Sequence, residues 1–228
     1  MRTLRRVAAS VLVGAALLGA TACGGDATDA DDIQPSDTPS SLRDYLLTAA
    51  DFPPGTTFQH VAQDKLKDID PSKQKLPKDP YCARLIKATQ VKSTDSDAVV
   101  ATLEPGVMVM QMAVQPTIDI RAASAAMSGR CAKQETSEGA YDFTLRYTPV
   151  RTSVDGATVF RQVGRMADTG QRAGDTYTGY VNRNNVGLTI IMTSLASSPG
   201  TEPDLLDPKK FEKYLATIAD RAAAASPR

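Results

Sequence analysis

Tryptophan is absent from this 228-residue chain, histidine occurs once, and aromatic residues make up only 5% of it. Each shortage removes a class of chemistry. With His60 as the single imidazole and no G-x-S-x-G motif, a Ser-His-Asp hydrolase has no natural place for its base. No H-E-x-x-H, P-loop or G-x-G-x-x-G is present, which removes the common zinc and nucleotide routes. The three cysteines include no C-x-x-C pair, and one histidine cannot complete a four-ligand metal site around them. Charge of one sign is lacking too: 26 Lys+Arg stand against 26 Asp+Glu, so a basic domain for nucleic acid is excluded. Nor is there an apolar run of the roughly 20 residues that a membrane-spanning helix takes. No catalysis, cofactor, metal or nucleic-acid partner is expected.

The longest apolar run, Val7 to Ala20, is broken only by Ser10 and follows Arg2, Arg5 and Arg6 with no acid. A positive start and a short apolar stretch form a secretory signal. Ala20-Thr21-Ala22 and then Cys23 resemble the lipobox of bacterial lipoproteins, with Ala20 where leucine is usual. Residues 1–22 are therefore expected to be cut away and Cys23 to carry the lipid, giving a protein held at the extracytoplasmic face of the cell membrane. More than one acyl chain on that cysteine makes the anchoring stable. Plain secretion with a free Cys23 is the alternative, and it leaves an exposed thiol beside Gly24-Gly25 without a role.

Removing the signal takes away three arginines and no acid, for a mature net charge of about −3. After Cys23, residues 24–40 continue as GGDATDADDIQPSDTPS, too polar to bury a core, so 23–40 reads as the lipidated cysteine and a disordered acidic tether. Asp26, Asp29, Asp31 and Asp32 lack the turn glycine and closing glutamate of a calcium loop.

Residues 41–228 suit one domain. Cys82 and Cys131 remain, and in an oxidising compartment they are expected to pair. Ser41 would cap a helix with Leu42, Tyr45, Leu46 and Ala49 on one stripe, stopped by Phe52-Pro53-Pro54-Gly55. A strand over 56–62 and a lysine-rich loop over 63–78 follow. Asp79-Pro80 opens a helix that turns Cys82, Leu85, Ile86 and Thr89 to one face. Val99–Leu103 and Val107–Val114 form a hairpin through Glu104-Pro105-Gly106, and an alanine-rich helix is expected from Ile118 to Lys133. Four strands come next, over 143–150, 157–166, 176–182 and 186–193. The last two turn at Arg183-Asn184-Asn185, and alternation of Val186, Leu188, Ile190 and Met192 predicts one buried face. Asp207-Pro208 caps a final helix with a stripe of Phe211, Leu215, Ile218 and Ala222. This order predicts an α+β fold: an antiparallel sheet with helices packed on it and one disulfide.

The run Leu46-Leu47-Thr48-Ala49-Ala50-Asp51-Phe52-Pro53-Pro54-Gly55 resembles the "L-L-T-x-x-D-[LF]-P-x-G" stretch of many actinobacterial sensor-domain-containing or uncharacterised lipoproteins. These are similar to the extracellular domain of mycobacterial PknH-type Ser/Thr kinases. Pro80-Tyr81-Cys82, Ser128-Gly129-Arg130-Cys131 and Gly179-Tyr180-Val181 fit the same pattern, so the resemblance covers about residues 42–225. It implies an antiparallel sheet flanked by helices around a ligand-binding cleft. The kinase domain has two disulfides where this chain has cysteines for one, and no functional residue is carried across.

Two sets of side chains are candidates for binding. Met108, Met110 and Met112 alternate along one strand and suit an irregular apolar ligand such as a lipid. Arg146, Arg161 and Arg165 lie on strands, the last two on one face of theirs, and suit an anionic lipid, polyphosphate or cell-wall polymer. Asp95 and Asp97 read as a solvated turn, and His60 as a structural residue. The expected protein is a lipid-anchored, non-enzymatic ligand-binding or sensor-like domain, taking a small-molecule, lipid or cell-wall ligand. The alternative is an adaptor that meets another envelope protein without a small ligand.

Overall fold

The computed structural model describes residues 42–61, 76–89, 95–104, 106–138, 141–196 and 201–225. Cys23, segments 1–22 and 23–40, Ser41, and the loop from 63 to 75 lie outside the described residues. Eight strands form one sheet: β1 (Thr57–Val61), β2 (Asp95–Glu104), β3 (Val107–Gln115), β4 (Lys133–Glu138), β5 (Tyr141–Val150), β6 (Thr158–Met166), β7 (Arg172–Arg183) and β8 (Val186–Leu195). Their spatial order is β1-β2-β3-β8-β7-β6-β5-β4, and each neighbouring pair is antiparallel. Two meanders thus meet along β3 and β8. The β7–β8 turn uses Asn184 and Asn185, at φ 48° and 60°, as a tight hairpin demands.

Among the described residues three α-helices accompany the sheet: α1 (Pro80–Thr89), α2 (Ile120–Ala126) and α3 (Pro208–Ala224). Each start has its cap. Asp79 accepts from the Tyr81 N–H, Asp119 from Ala122 and Asp207 from Lys209. On one side of the sheet, called side A, α3 lays Phe211, Leu215, Ile218 and Ala222 on the sheet, none more than 2% exposed. They meet Tyr177 and Val181 of β7 and Leu188, Ile190 and Met192 of β8 in one cluster, which also holds Leu42, Tyr45, Leu46 and Leu47. Gly179 allows this approach, since a Cβ there would stand 3.1 Å from both Leu215 and Phe211. On side B, Ala123 and Met127 cover Phe143, Leu145, Tyr147 and Phe160. The Cys82–Cys131 disulfide, buried at both ends, ties α1 to the turn after α2.

Five expectations change. The fold is strand-dominated, an antiparallel sheet with a few helices, so α+β describes it only in part. Among the described residues no α-helix forms over 42–52; two 3-10 turns, Arg43–Tyr45 and Ala49–Asp51, stand there instead. Leu42, Tyr45 and Leu46 are buried as the stripe predicts, but Ala49 is exposed. Helical propensity loses because Thr48 and Asp51 cap each other and the Leu47 N–H bonds to the Gln111 side chain. The helix expected over 118–133 ends at Ala126. Gly129 takes φ 53°, and Lys133 opens β4, whose sequence KQETSE carries no apolar alternation because it is the sheet's edge. β8 is buried along both faces, as suits a strand at the centre of the sheet. Asp97 is no solvated turn residue: it lies on β2, 1% exposed, facing His60.

Candidate functional site

Strand register decides which side chains share side B. On β3, Val107, Val109, Gln111 and Ala113 point to the side A core and are buried, while Met108, Met110 and Met112 are half-buried on the other side. Across the ladders the methionines head three parallel rows. Met108 lines up with Thr193, Thr176, Gln162 and Tyr147. Met110 lines up with Ile191, Thr178, Phe160 and Pro149, and with Val100 of β2 on its other flank. Met112 lines up with Thr189, Tyr180 and Thr158. The middle row is mostly apolar and the outer two carry hydroxyls, an amide and phenols. Adjacent rows are two residues apart on each strand, about 7 Å.

The outer rows stay neutral. Burial pushes the Tyr180 phenol up to about 12 and raises Tyr147 further, so both remain hydrogen-bond donors at ordinary pH. The Thr176 and Thr193 hydroxyls stand 2.8 Å apart and share one hydrogen bond. Thr189, Ile191, Thr193, Phe160, Gln162 and Tyr147 are buried, so the accessible part of the rows is the half-buried Met108, Met110 and Met112 with Thr176, Thr178 and Tyr180; flexible thioethers beside neutral donors suit an amphipathic molecule. Sequence reading found the methionines and missed the hydroxyl rows. The period-two pattern of Thr176, Thr178 and Tyr180 and of Thr189 and Thr193 was the available signal, but only the register shows that it continues the methionine stripe.

The arginines lie on side A, so the two candidate sets are not one site. Arg161 is held: its Nε and Nη2 donate to the Asp175 carboxylate at 2.8 and 3.0 Å, with the guanidinium 5.7 Å above the Tyr177 ring. Asp175 is fully buried and also accepts from the Leu206 N–H, which makes Arg161 a structural clasp. Arg165 is exposed and donates to the Gly170 carbonyl at 2.8 Å. Arg146 is exposed on the adjacent strand.

His60 binds Asp97 through Nε2 at 2.8 Å on the β1 side of the sheet. Burial raises the Asp97 carboxyl above its usual range, against the pull of His60, the Ala98 N–H and Arg43. Among the described residues no group of His, Cys, Asp and Glu is arranged to hold a metal ion. Two shallow recesses are bordered by other side chains, the second of them next to Arg165 in the chain. One of about 270 Å³ is bordered by Asp51, Phe52, Lys213 and Tyr214, the other of about 360 Å³ by Tyr141, Asp142, Met166 and Asp168.

No family model matches the chain, and no curated protein matches it. The fold is similar to the solved structure of an uncharacterised protein from Mycobacterium smegmatis, an Rv0999 ortholog. The TM-score is 0.52 at 16% identity, and the match covers 81% of this chain and 98% of that one. At that identity the likeness concerns the fold alone.

Proposed function

We propose that this chain is a lipid-anchored, extracytoplasmic, non-enzymatic binding domain that takes an amphipathic ligand on the methionine face of its sheet. The observation that carries the reading is the half-buried set on side B, Met108, Met110 and Met112 of β3 with Thr176, Thr178 and Tyr180 of β7, thioethers and neutral hydroxyls that the register brings to one side of the sheet. Supporting it are the signal-like start, Cys23 after Ala20-Thr21-Ala22, and the short motifs shared with sensor-domain lipoproteins and PknH-type extracellular domains.

Two measurements test the two halves. For the anchor, Cys23→Ala is expected to move the protein from the membrane fraction to the soluble one when the membranes are washed in high salt, which removes charge-held protein; retention through that wash rules the anchor out. For the site, methyl-labelled methionine NMR is followed while an organic extract of the producing cell envelope is added. Met108, Met110 and Met112 should shift while Met192, buried on side A, stays still. Shifts absent from the three methionines, or equal at Met192, remove the site.

A further inference from the structure

Side A is covered by α3 over its middle strands, but its β4–β5–β6 portion carries a cluster of cations. Lys133 of β4 stands directly opposite Arg146 of β5, and both are exposed. Arg146 pairs in turn with Val163 of β6, so Arg161 and Arg165, two residues to either side, flank it diagonally. Arg161 is neutralised by Asp175. Among the described residues, Lys133, Arg146 and Arg165 enter no salt bridge. Glu135, across from Thr144, is the nearby acid on that side; Asp142 is taken up by Lys78 and Ser137. Like charges facing each other across a ladder are unfavourable, and an anionic surface laid over them removes the repulsion.

The chain's attachment bears on what that surface is. Leu42 sits in the side A core. The 19 residues from Cys23 to Ser41 span at most about 65 Å. A domain of this size is roughly 40 Å across, so its cationic face can reach the bilayer that would hold the lipid. We propose that Lys133, Arg146 and Arg165 form a docking face for the anionic phospholipid headgroups of that membrane. The inference rests on the lipid-anchored reading, although its test does not require the lipid.

The mature chain carrying Cys23→Ser, hence unlipidated, is mixed with vesicles of phosphatidylcholine alone or with phosphatidylglycerol in equal parts. It should sediment with the mixed vesicles only, and added salt should release it. The triple variant Lys133→Gln, Arg146→Gln, Arg165→Gln should lose about 100-fold in partitioning, since each basic side chain at such a surface contributes about five-fold. A control with the same charge change elsewhere, Arg84→Gln, Lys87→Gln, Arg121→Gln, should lose far less. All three proteins must melt alike for the comparison to count. Equal losses in the two triple variants, or no preference for anionic vesicles, overturn the proposal. Binding of soluble polyphosphate in place of vesicles overturns it as well. Failure here leaves the anchor untouched, because membrane fractionation of Cys23→Ala reads that separately.

Discussion

Gln111 is the residue whose replacement is expected to loosen the N-terminal strap from the sheet. It is fully buried in β3, yet it is a glutamine among valines and methionines. Its Oε1 accepts from the Leu47 N–H at 2.6 Å, and its Nε2 donates to the Tyr45 carbonyl at 2.7 Å. Tyr45 and Leu47 are themselves 3% and 1% exposed, so water cannot replace the side chain. Gln111→Leu keeps the approximate volume but leaves two buried backbone groups unpaired, each costing about 1–3 kcal/mol. The apolar leucine recovers part of that, and the net loss should be about 3 kcal/mol. For a domain of this length the melting temperature should fall by about 6–12 °C. Urea unfolding of the unlipidated mature chain measures the loss, and amide exchange at Leu47 locates it. Arg221 still holds the Leu46 carbonyl and Asp51, so the strap should fray at Leu47 before the rest of it leaves. A variant within about 0.5 kcal/mol of the parent, an effect no larger than an ordinary surface change, or an unchanged Leu47 amide, refutes the clamp.

Three further outcomes are expected. Reducing Cys82–Cys131, which closes a 49-residue separation, should cost about 4 kcal/mol in the chain-entropy picture, seen as a lower melting temperature with reductant; an unchanged melt contradicts it. Gly187→Ala would place a Cβ 2.6 Å from both the Cγ1 and the backbone nitrogen of Ile118, so denaturation should show a loss of about 2 kcal/mol or more, and a neutral variant contradicts the packing. Asp97 holds its proton to higher pH when folded than when unfolded. The stability it contributes is therefore fully present below the ordinary carboxylate value and lost as pH rises through the folded one. Asp97→Asn should remove that loss from a plot of unfolding free energy against pH, and a parallel plot contradicts the direction.

Much of the fold was legible because its signals are local. Asp79-Pro80 and Asp207-Pro208 start their helices where caps and proline predict, and the 107–114 alternation gives β3. The Asn184-Asn185 turn follows from the φ those residues tolerate. What failed depended on distant partners. Leu46 and Leu47 look helical until Gln111, on a strand far along the chain, takes the Leu47 amide. β4 carries no apolar period because an edge strand has few side chains to bury. The Asp97 environment depends on β1 lying alongside β2, which its own Ser-Thr-Asp-Ser-Asp surroundings do not encode. For the same reason the methionines were visible singly, whereas their three-row continuation over β8, β7 and β6 required the register.

Native mass spectrometry of the mature protein, extracted from its own envelope, bears most directly on the ligand-binding reading. The parent should carry a discrete added mass, beyond the lipid on Cys23, that is lost on denaturation. Met110→Asp, which sets a charge in the apolar row while leaving the side A core alone, should lack it. The same added mass on both proteins, or on neither, contradicts a ligand held on the methionine face.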